Sequence, residues 1–338
     1  MASTSNLQGA KRMNIFVTGG AGYIGSHTVR LLAEAGHHVR VYDNLSEGHA
    51  AAVPPGTLFE GDLMDERRLV EALRDGFDGV MHFAASCSVG ESMEDPEKYY
   101  TNNVVAGLRL LGAMRETGVR RIVFSSSAAT YGNPVKTPIP EDHPTQPINA
   151  YGQTKLDFEH ALRYYAGAYG LGYVALRYFN AAGAAPDARI GEDHRPETHL
   201  VPLVLQVVLG ERDAVSIFGT DYPTPDGTCV RDYIHVYDLA QAHILAMEAI
   251  ERGKGRAYNL GSGAGYSVRE VIEAARRATG HRIPTLESPR RAGDPPTLVA
   301  SSERIIRELG WKPRFPELST IIETAWRWHK THPKGYGK

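Results

Sequence analysis

From Asn14 onward, short apolar runs alternate with longer stretches whose apolar residues recur at helical spacing. "NIFVTGG" reads as a strand, and "YIGSHTVRLLAEAG" as a helix closed by Gly36. "HVRVYDN", "TLFEGDL" and "GVMHFAA" read as a second, third and fourth strand. "DPEKYYTNNVVAGLRLLGAMRETGV" reads as one long helix, opened by Asp95 as N-cap and Pro96 at its first position. "RIVFSSS" is a fifth strand, a helix carrying "YGQTK" follows, and "YVALRYFN" is a sixth strand. These strands are rich in Val, Ile and Phe with little polar alternation, as expected when both faces of a parallel sheet are covered. The pattern predicts an α/β fold with a doubly wound, Rossmann-type parallel sheet over residues 13–180.

After Asn180 the rhythm changes. "AAGAAPDARIGEDHRPETH" is long and polar, the kind of loop that serves as a lid or binding segment. Four helical stretches follow, "LVPLVLQVVLG", "DLAQAHILAMEAIE", "SVREVIEAARRATG" and "LSTIIETAWRWHK", separated by brief strands. Residues 181–338 are therefore expected to form a smaller mixed α/β substrate-binding domain. Some of it, such as 228–240, is expected to return to the first domain. Residues 1–12 are polar and read as a disordered extension.

Charge excludes some functions. With 37 Lys and Arg against 39 Asp and Glu, no basic excess points to nucleic acid. No apolar stretch is long enough to span a membrane. Cys87 and Cys229 stand far apart without CxxC spacing, so neither a disulfide framework nor a structural zinc site is expected, and a reducing, cytoplasmic setting is the simplest one. His194 and His199 lack a spaced partner set, and no metal site is predicted.

The chemistry concentrates in two places. "TGGAGYIG" follows the first strand and enters a helix, placing Gly19, Gly22 and Gly25 as GxxGxxG, a variant of the dinucleotide fingerprint. Such a helix N-terminus offers N–H groups and partial positive charge to a pyrophosphate. Asp43 ends the second strand 18 residues past Gly25, where a carboxylate can bind a ribose diol and would repel a 2′-phosphate, which favours NAD over NADP. Asp62 can reach an adenine or can simply cap a helix. Downstream, Tyr151 and Lys155 lie four apart on one helix face. An ammonium beside a phenol favours the phenolate, a base for an alcohol proton. Alone, such a pair is common on helices; the phosphate loop upstream gives it meaning.

The loop, Asp43, "FSSSA" and YxxxK together resemble the extended short-chain dehydrogenases/reductases. "HFAA", "VGES", "YYTNNV", "LRYFNAAGA", "GEDHRPETHLVPL", "DGTCVRDYIHV", "RRAGDP" and the "GW" at 310 are similar to the UDP-glucose 4-epimerase family, over essentially the whole chain. The resemblance implies C4 epimerisation of UDP-sugars through a 4-keto intermediate with bound, recycled NAD. It casts Tyr151 as base, Lys155 as the cation beside it and Ser127, with Ser126 second, as the group that orients the sugar hydroxyl. On the cofactor side it implies Gly19, Gly22, Tyr23, Ile24, Gly25, Asp43, Asn44, Asp62, Leu63, Phe83, Ala84, Asn102, Ser125, Tyr151, Lys155 and Tyr178. On the substrate side it implies Ser127, Tyr151, Asn180, His199, Leu200, Phe218, Arg231, Tyr233, Arg291, Asp294 and Leu298. For Arg231 and Arg291 a surface ion pair with Asp232 or Asp294 stays open.

Two positions depart from the family. Cys87 stands where some members place a cofactor-contacting lysine, and His199 where others have asparagine. A 4,6-dehydratase would need a carboxylate in "SSSAATYG", which has none. A reductase that releases its cofactor and a non-catalytic nucleotide-binding protein share the fold, though the latter has no use for both Tyr151 and Lys155. Members are mostly homodimers pairing through helices near 96–116 and 150–170. Leu298, where some members carry tyrosine, implies room for a 2-N-acetyl group.

Overall fold

The computed structural model describes residues 12–291 and 294–337. The expected extension therefore lies outside the described residues up to Lys11, as do Ala292 and Gly293 of "RRAGDP". Thirteen strands occur in chain order among the described residues. They are β1 (Asn14–Thr18), β2 (His38–Asp43), β3 (Leu58–Glu60), β4 (Gly79–His82), β5 (Arg121–Ser127), β6 (Gly172–Tyr178), β7 (Asn180–Ala182), β8 (Val215–Phe218), β9 (Val230–His235), β10 (Gly255–Leu260), β11 (Gly265–Ser267), β12 (Thr285–Ser288) and β13 (Thr297–Leu298).

Seven strands form one sheet in the order β10-β6-β5-β4-β1-β2-β3, every pair parallel. Along β1, side chains alternate between two cores. Ile15 and Val17 face a layer with Val29 and Leu32 of helix Tyr23–Glu34 and Leu239 and Met247 of helix Val236–Ala249. Phe16 faces the other, with Leu69, Leu110, Phe158 and Leu162 from helices Glu66–Leu73, Ala106–Thr117 and Ala150–Tyr169. Both faces are covered, which explains the unbroken apolar runs. The chain leaves β1 to one side for β2 and β3, then returns to the other for β4, β5 and β6. That reversal opens a crevice at the carboxyl ends of β1 and β4.

Of the expected return at 228–240 only the part from Val236 onward joins the first unit, β9 staying in the second; helix Val236–Ala249 packs in the first core and β10 pairs with β6. The second unit is smaller. In it β9 pairs with β7, β11 and β13, and β8 pairs with β12. Val204, Leu205, Val271, Ile272, Ile321 and Ile322 from helices Leu200–Val208, Val268–Thr279 and Leu318–Thr331 fill its core with Ile217 of β8. A single residue, Phe179, separates Tyr178 at the end of β6 from Asn180 at the start of β7, so the units are joined by nearly continuous strand.

One expected helix is broken in kind. Asp95 caps Pro96–Tyr99 as predicted, its side chain accepting from Lys98 N, but Tyr100–Val105 widens into a π-helical turn before Ala106–Thr117. Inside that turn the buried Asn103 bonds Ser86 N, Ser86 O and Thr154 Oγ1 at 2.8, 3.0 and 3.1 Å. Turns of this kind occur frequently at functional sites. No helix among the described residues is long and apolar enough to cross a membrane.

Candidate active site

The crevice is built first from the loop after β1. Gly19 has φ +67, and a Cβ there would sit 2.4 Å from Ala84 N, so loop and β4 end can approach only at a glycine. A Cβ at Gly25 would sit 2.2 Å from Gly19 O. Gly22 is different: φ is −78 and a Cβ would find nothing nearer than Gly19 O at 3.4 Å. The protein's own packing therefore demands Gly19 and Gly25, while Gly22 keeps the outer face of the loop bare. No side chain among the described residues caps helix Tyr23–Glu34, and its first turn has no acid. Its leading N–H groups are available to an anion. Tyr23 turns away, donating to Gly183 O at 2.6 Å, and Ile24 packs inward.

Asp43 closes β2. Its carboxylate is buried and accepts from Ala21 N and Leu45 N, both at 2.9 Å; burial nevertheless raises its pKa. Beside it Asn44 donates to Asp62 Oδ2 at 2.8 Å. Asn44, Glu60, Gly61, Asp62 and Arg68 line an open cleft of about 480 Å³, while Leu63 is buried behind it. Loop, carboxylate and cleft follow one another along the sheet edge, an order that fits pyrophosphate, ribose and adenine. Phe83 and Ala84 extend β4 into the crevice, both N–H groups donating to Thr18 O. Asn102 is exposed and bonds Ser86 Oγ at 2.9 Å; its neighbour Asn103, which the sequence did not single out, is the buried one.

The second cluster lies at the carboxyl end of β5. Asn149 caps helix Ala150–Tyr169, its side chain accepting from Gly152 N, and the first turn carries Tyr151 over the strand end. Lys155 is buried and donates to Ser125 O at 2.9 Å. Its Nζ lies 5.7 Å from the Tyr151 ring centroid. Burial lowers the ammonium to about 8. Burial also pushes the Tyr151 phenol up, with the Cys87 thiol acting in the same direction and the Ser127 hydroxyl opposing. The lowering of the phenol expected from Lys155 is not seen in this geometry, where burial dominates. Tyr178 completes the cluster, its hydroxyl bonded to Ser125 Oγ. Cys87 is an exposed free cysteine.

In the second unit, Asn180 and Tyr233 are register partners across β7 and β9, and Asn180 Nδ2 donates to Asp232 O at 2.9 Å. Leu298 lies opposite Arg231 across β13 and β9. Arg231 is paired with Asp294, one of the two alternatives left open by the sequence. Arg291 stacks on Phe218, its Cζ 4.0 Å from the ring centroid. Leu200 opens helix Leu200–Val208, with His199 as its N-cap residue.

Several organising residues were not singled out. Asp232 is buried and accepts from Ser262 N and Oγ, both at 2.7 Å, Gly263 N at 3.1 Å and Ala300 N at 3.0 Å. This pins the segment carrying Leu298 beside Arg231. Glu159, one helical turn past Lys155, accepts from Ser126 Oγ at 2.5 Å and from Arg177 Nε at 2.9 Å. Only the placement of Arg177 in "LRYFN" hinted at this. His194 and His199 do have partners, Glu192 and Glu197, brought together by the fold of the intervening loop.

Comparison with known proteins agrees with this geometry. The NAD dependent epimerase/dehydratase family matches residues 15–261, and the chain belongs to that family. UDP-glucose 4-epimerase of Halalkalibacterium halodurans is 56% identical over 96% of this chain and 98% of its own length. The crystal structure of UDP-glucose 4-epimerase from Brucella ovis in complex with NAD is 52% identical, with TM-score 0.90 over 93% of this chain and 98% of that one. The UDP-Glc/GlcNAc 4-epimerase of Campylobacter jejuni is 40% identical, with TM-score 0.83 over 94% of this chain and 99% of that one.

Proposed function

We infer that this chain is an NAD-dependent UDP-glucose 4-epimerase, interconverting UDP-glucose and UDP-galactose by reversible inversion at C4. The observation that carries the reading is the convergence of Tyr151, Lys155 and Ser125 at the end of β5, in the same sheet as the phosphate loop. The stretch from Ser125 to Gly132 holds no carboxylate for a dehydration step. The relatives' names point the same way.

The glycine cradle, the uncapped helix and Asp43 fit a dinucleotide with a free ribose diol. Bound NAD would supply a hydride acceptor and then a donor. The chain's own part is to move a proton and to hold the sugar. Tyr151 takes the 4-hydroxyl proton as a hydride equivalent leaves C4, and returns it when C4 is reduced from the opposite face. Lys155, as ammonium, favours the phenolate, and the Ser127 hydroxyl orients the sugar oxygen. The 4-keto sugar must turn over between the two transfers, which requires a grip on the nucleotide rather than on the ring. Arg231, Arg291 and Asn180 supply such a grip, since a guanidinium fork matches phosphate oxygens. Asp294 then serves as Arg231's partner, and Phe218, Tyr233, His199 and Leu200 as walls of the nucleotide pocket. Residues 13–180, with 236–260 added, hold the cofactor, and the remainder holds the UDP-sugar.

The substrate range is proposed to include UDP-N-acetylglucosamine and UDP-N-acetylgalactosamine, on the strength of Leu298. A second copy of the chain is the proposed partner. Tyr100, Val105, Leu108, Tyr164 and Tyr169 are exposed on the helices between 100 and 169, an apolar surface that pairing would cover. A reducing cytoplasm is the proposed setting, since two cysteines far apart in the sequence offer no disulfide framework.

The test is to incubate purified protein with UDP-galactose, add no dinucleotide and follow UDP-glucose by NMR. Turnover with about one NAD released per denatured chain is expected. Strict dependence on added NADP would overturn both the Asp43 assignment and recycling.

A further inference from the structure

We propose that Glu192, His194, Glu197 and His199 form a structural binding site for a divalent first-row transition cation, zinc foremost. One ligand atom from each of the four lies within 4.8 Å of all the others. Glu192 Oε1 stands 3.2 Å from His194 Nδ1 and 2.9 Å from His199 Nδ1. Glu197 Oε1 is 3.0 Å from His199 Nδ1, and Glu197 Oε2 is 3.8 Å from His194 Nδ1. A tetrahedral ion bound at 2.0–2.2 Å would space its ligand atoms by about 3.3–3.6 Å, the middle of this range.

The second observation concerns bonding rather than proximity. Glu192 is 4% exposed, yet its Oε1 has no hydrogen-bond partner among the described residues, and neither does buried His194 Nδ1. His194 Nδ1 and Glu192 Oε1 lie close but are not aligned for proton sharing, whereas His199 Nδ1 bonds Glu197 Oε1 at 3.0 Å. A cluster of two carboxylates and two imidazoles that leaves Glu192 Oε1 and His194 Nδ1 unpartnered is what a shared cation would satisfy; without one, an unpartnered buried carboxylate oxygen is costly. Glu197 is oriented by the backbone, since its Oε1 accepts from Thr198 N and His199 N at 2.7 Å, while Oε2 faces His194. Trp328 Nε1 likewise fixes the Glu192 backbone, donating to its carbonyl at 3.1 Å. Fixing ligands from behind in this way is typical of metal sites.

Nitrogen and carboxylate donors without sulfur suit zinc and its first-row neighbours better than magnesium or calcium. Four protein ligands complete a tetrahedron and leave no open position, so the role is structural and not Lewis-acid. The ion would fasten residues 183–199, which contain no helix or strand, where they meet two other elements. One is helix Leu200–Val208, entered directly from His199. The other is the phosphate-loop helix, through Tyr23, whose ring centroid is 6.2 Å from that of His194.

The experiment uses untagged full-length protein, stripped with a chelator, dialysed against zinc chloride and analysed for metal by mass spectrometry. About one zinc per chain is expected, with competition against a chromophoric chelator giving an affinity at least about tenfold weaker in Glu192→Gln/His194→Gln. Chelation should lower the wild-type melting temperature by on the order of 3–5 °C, zinc should restore it, and the double variant should respond to neither. Less than about a tenth of a zinc per wild-type chain, or equal zinc in the variant, overturns the proposal and leaves a cluster of His–Glu ion pairs. Should the variant fail to fold, the wild-type zinc titration decides alone.

Discussion

Tyr151 is buried among groups that favour its neutral form, whereas the work proposed for it needs the phenolate. Desolvation raises the phenol and lowers the Lys155 ammonium together, so the pair holds its charge only when opposite charge is created between them. Tyr151→Phe removes the acceptor while keeping the ring that packs against Tyr99. Epimerisation is expected to fall about 10²–10⁴-fold with NAD occupancy unchanged, as measured by turnover and by dinucleotide released on denaturation. Turnover near the wild-type rate would assign the proton to another group. Leu298 is tested by size. Its backbone is held between Arg231 and the Asp232 hub, so a larger side chain cannot be relieved by moving the strand. Leu298→Tyr is expected to suppress turnover of UDP-N-acetylglucosamine at least about tenfold and to spare UDP-galactose. Equal effects on both sugars would remove Leu298 as the gate.

At the scale of elements, helix Ala150–Tyr169 must hold Tyr151 over β5, and Glu159 ties it there. The Glu159–Arg177 pair is buried on both sides, and Ser126 bonds the same carboxylate. Breaking a buried pair strands the remaining charge, so Glu159→Ala is expected to cost about 3–5 kcal/mol by denaturant unfolding. A cost below about 1 kcal/mol would mean that Arg177 is rehydrated. Comparison of expectation with structure at this scale shows what kind of information a sequence carries. β1, β2 and β5 were legible because each is a contiguous apolar run, and the glycine loop because its meaning lies in adjacent residues. β10, "GRAYNL", carries polar residues and joins the first sheet only through β6, so nothing local separates it from the brief strands of the second unit. Asp232, Glu159 and the Glu192 cluster were illegible for the same reason: the groups that satisfy them come from distant segments or from the path of a loop. Arg231 could be named, but the choice between Asp232 and Asp294 as its partner needed the fold.

For the whole molecule, acid sensitivity follows from its interior histidines. Burial lowers His82 and His235 to about 3 and His243 to about 4. His82 shares a proton with Thr18 and faces Lys155, His235 bonds Thr324, and His243 donates to Leu239 O. Unfolded, each would bind a proton below about pH 6.5. Above that pH both states are neutral and nothing is gained or lost. Below it the unfolded state binds more protons, so stability falls by ~1.4 kcal/mol per pH unit for each histidine until its folded pKa is reached. Asp238, raised by burial to about 6, acts in the opposite direction over roughly pH 4–6 and offsets about one of the three. Urea unfolding is therefore expected to show a net loss between pH 6.5 and 4.5, and a flat profile there would mean that these rings are solvated in the native state.

The late arrival of β10 also bears on how the protein is made. β6 is synthesised by residue 178, but its outer neighbour comes only with residues 255–260. At roughly 5–20 residues per second, translation of the intervening stretch takes about 4–15 s, far longer than local collapse. During that interval the β6 edge offers free N–H and C=O groups beside apolar Val174 and Leu176, a template for pairing with other nascent chains. The first sheet is thus finished only after much of the second unit has been translated, and the two are expected to mature together. A fragment ending at Ala182 should accumulate as insoluble protein, whereas one extended to Gly261 should be recovered in larger soluble yield. Comparable solubility of the two, measured by fractionation after expression, would show that the sheet tolerates an open β6 edge.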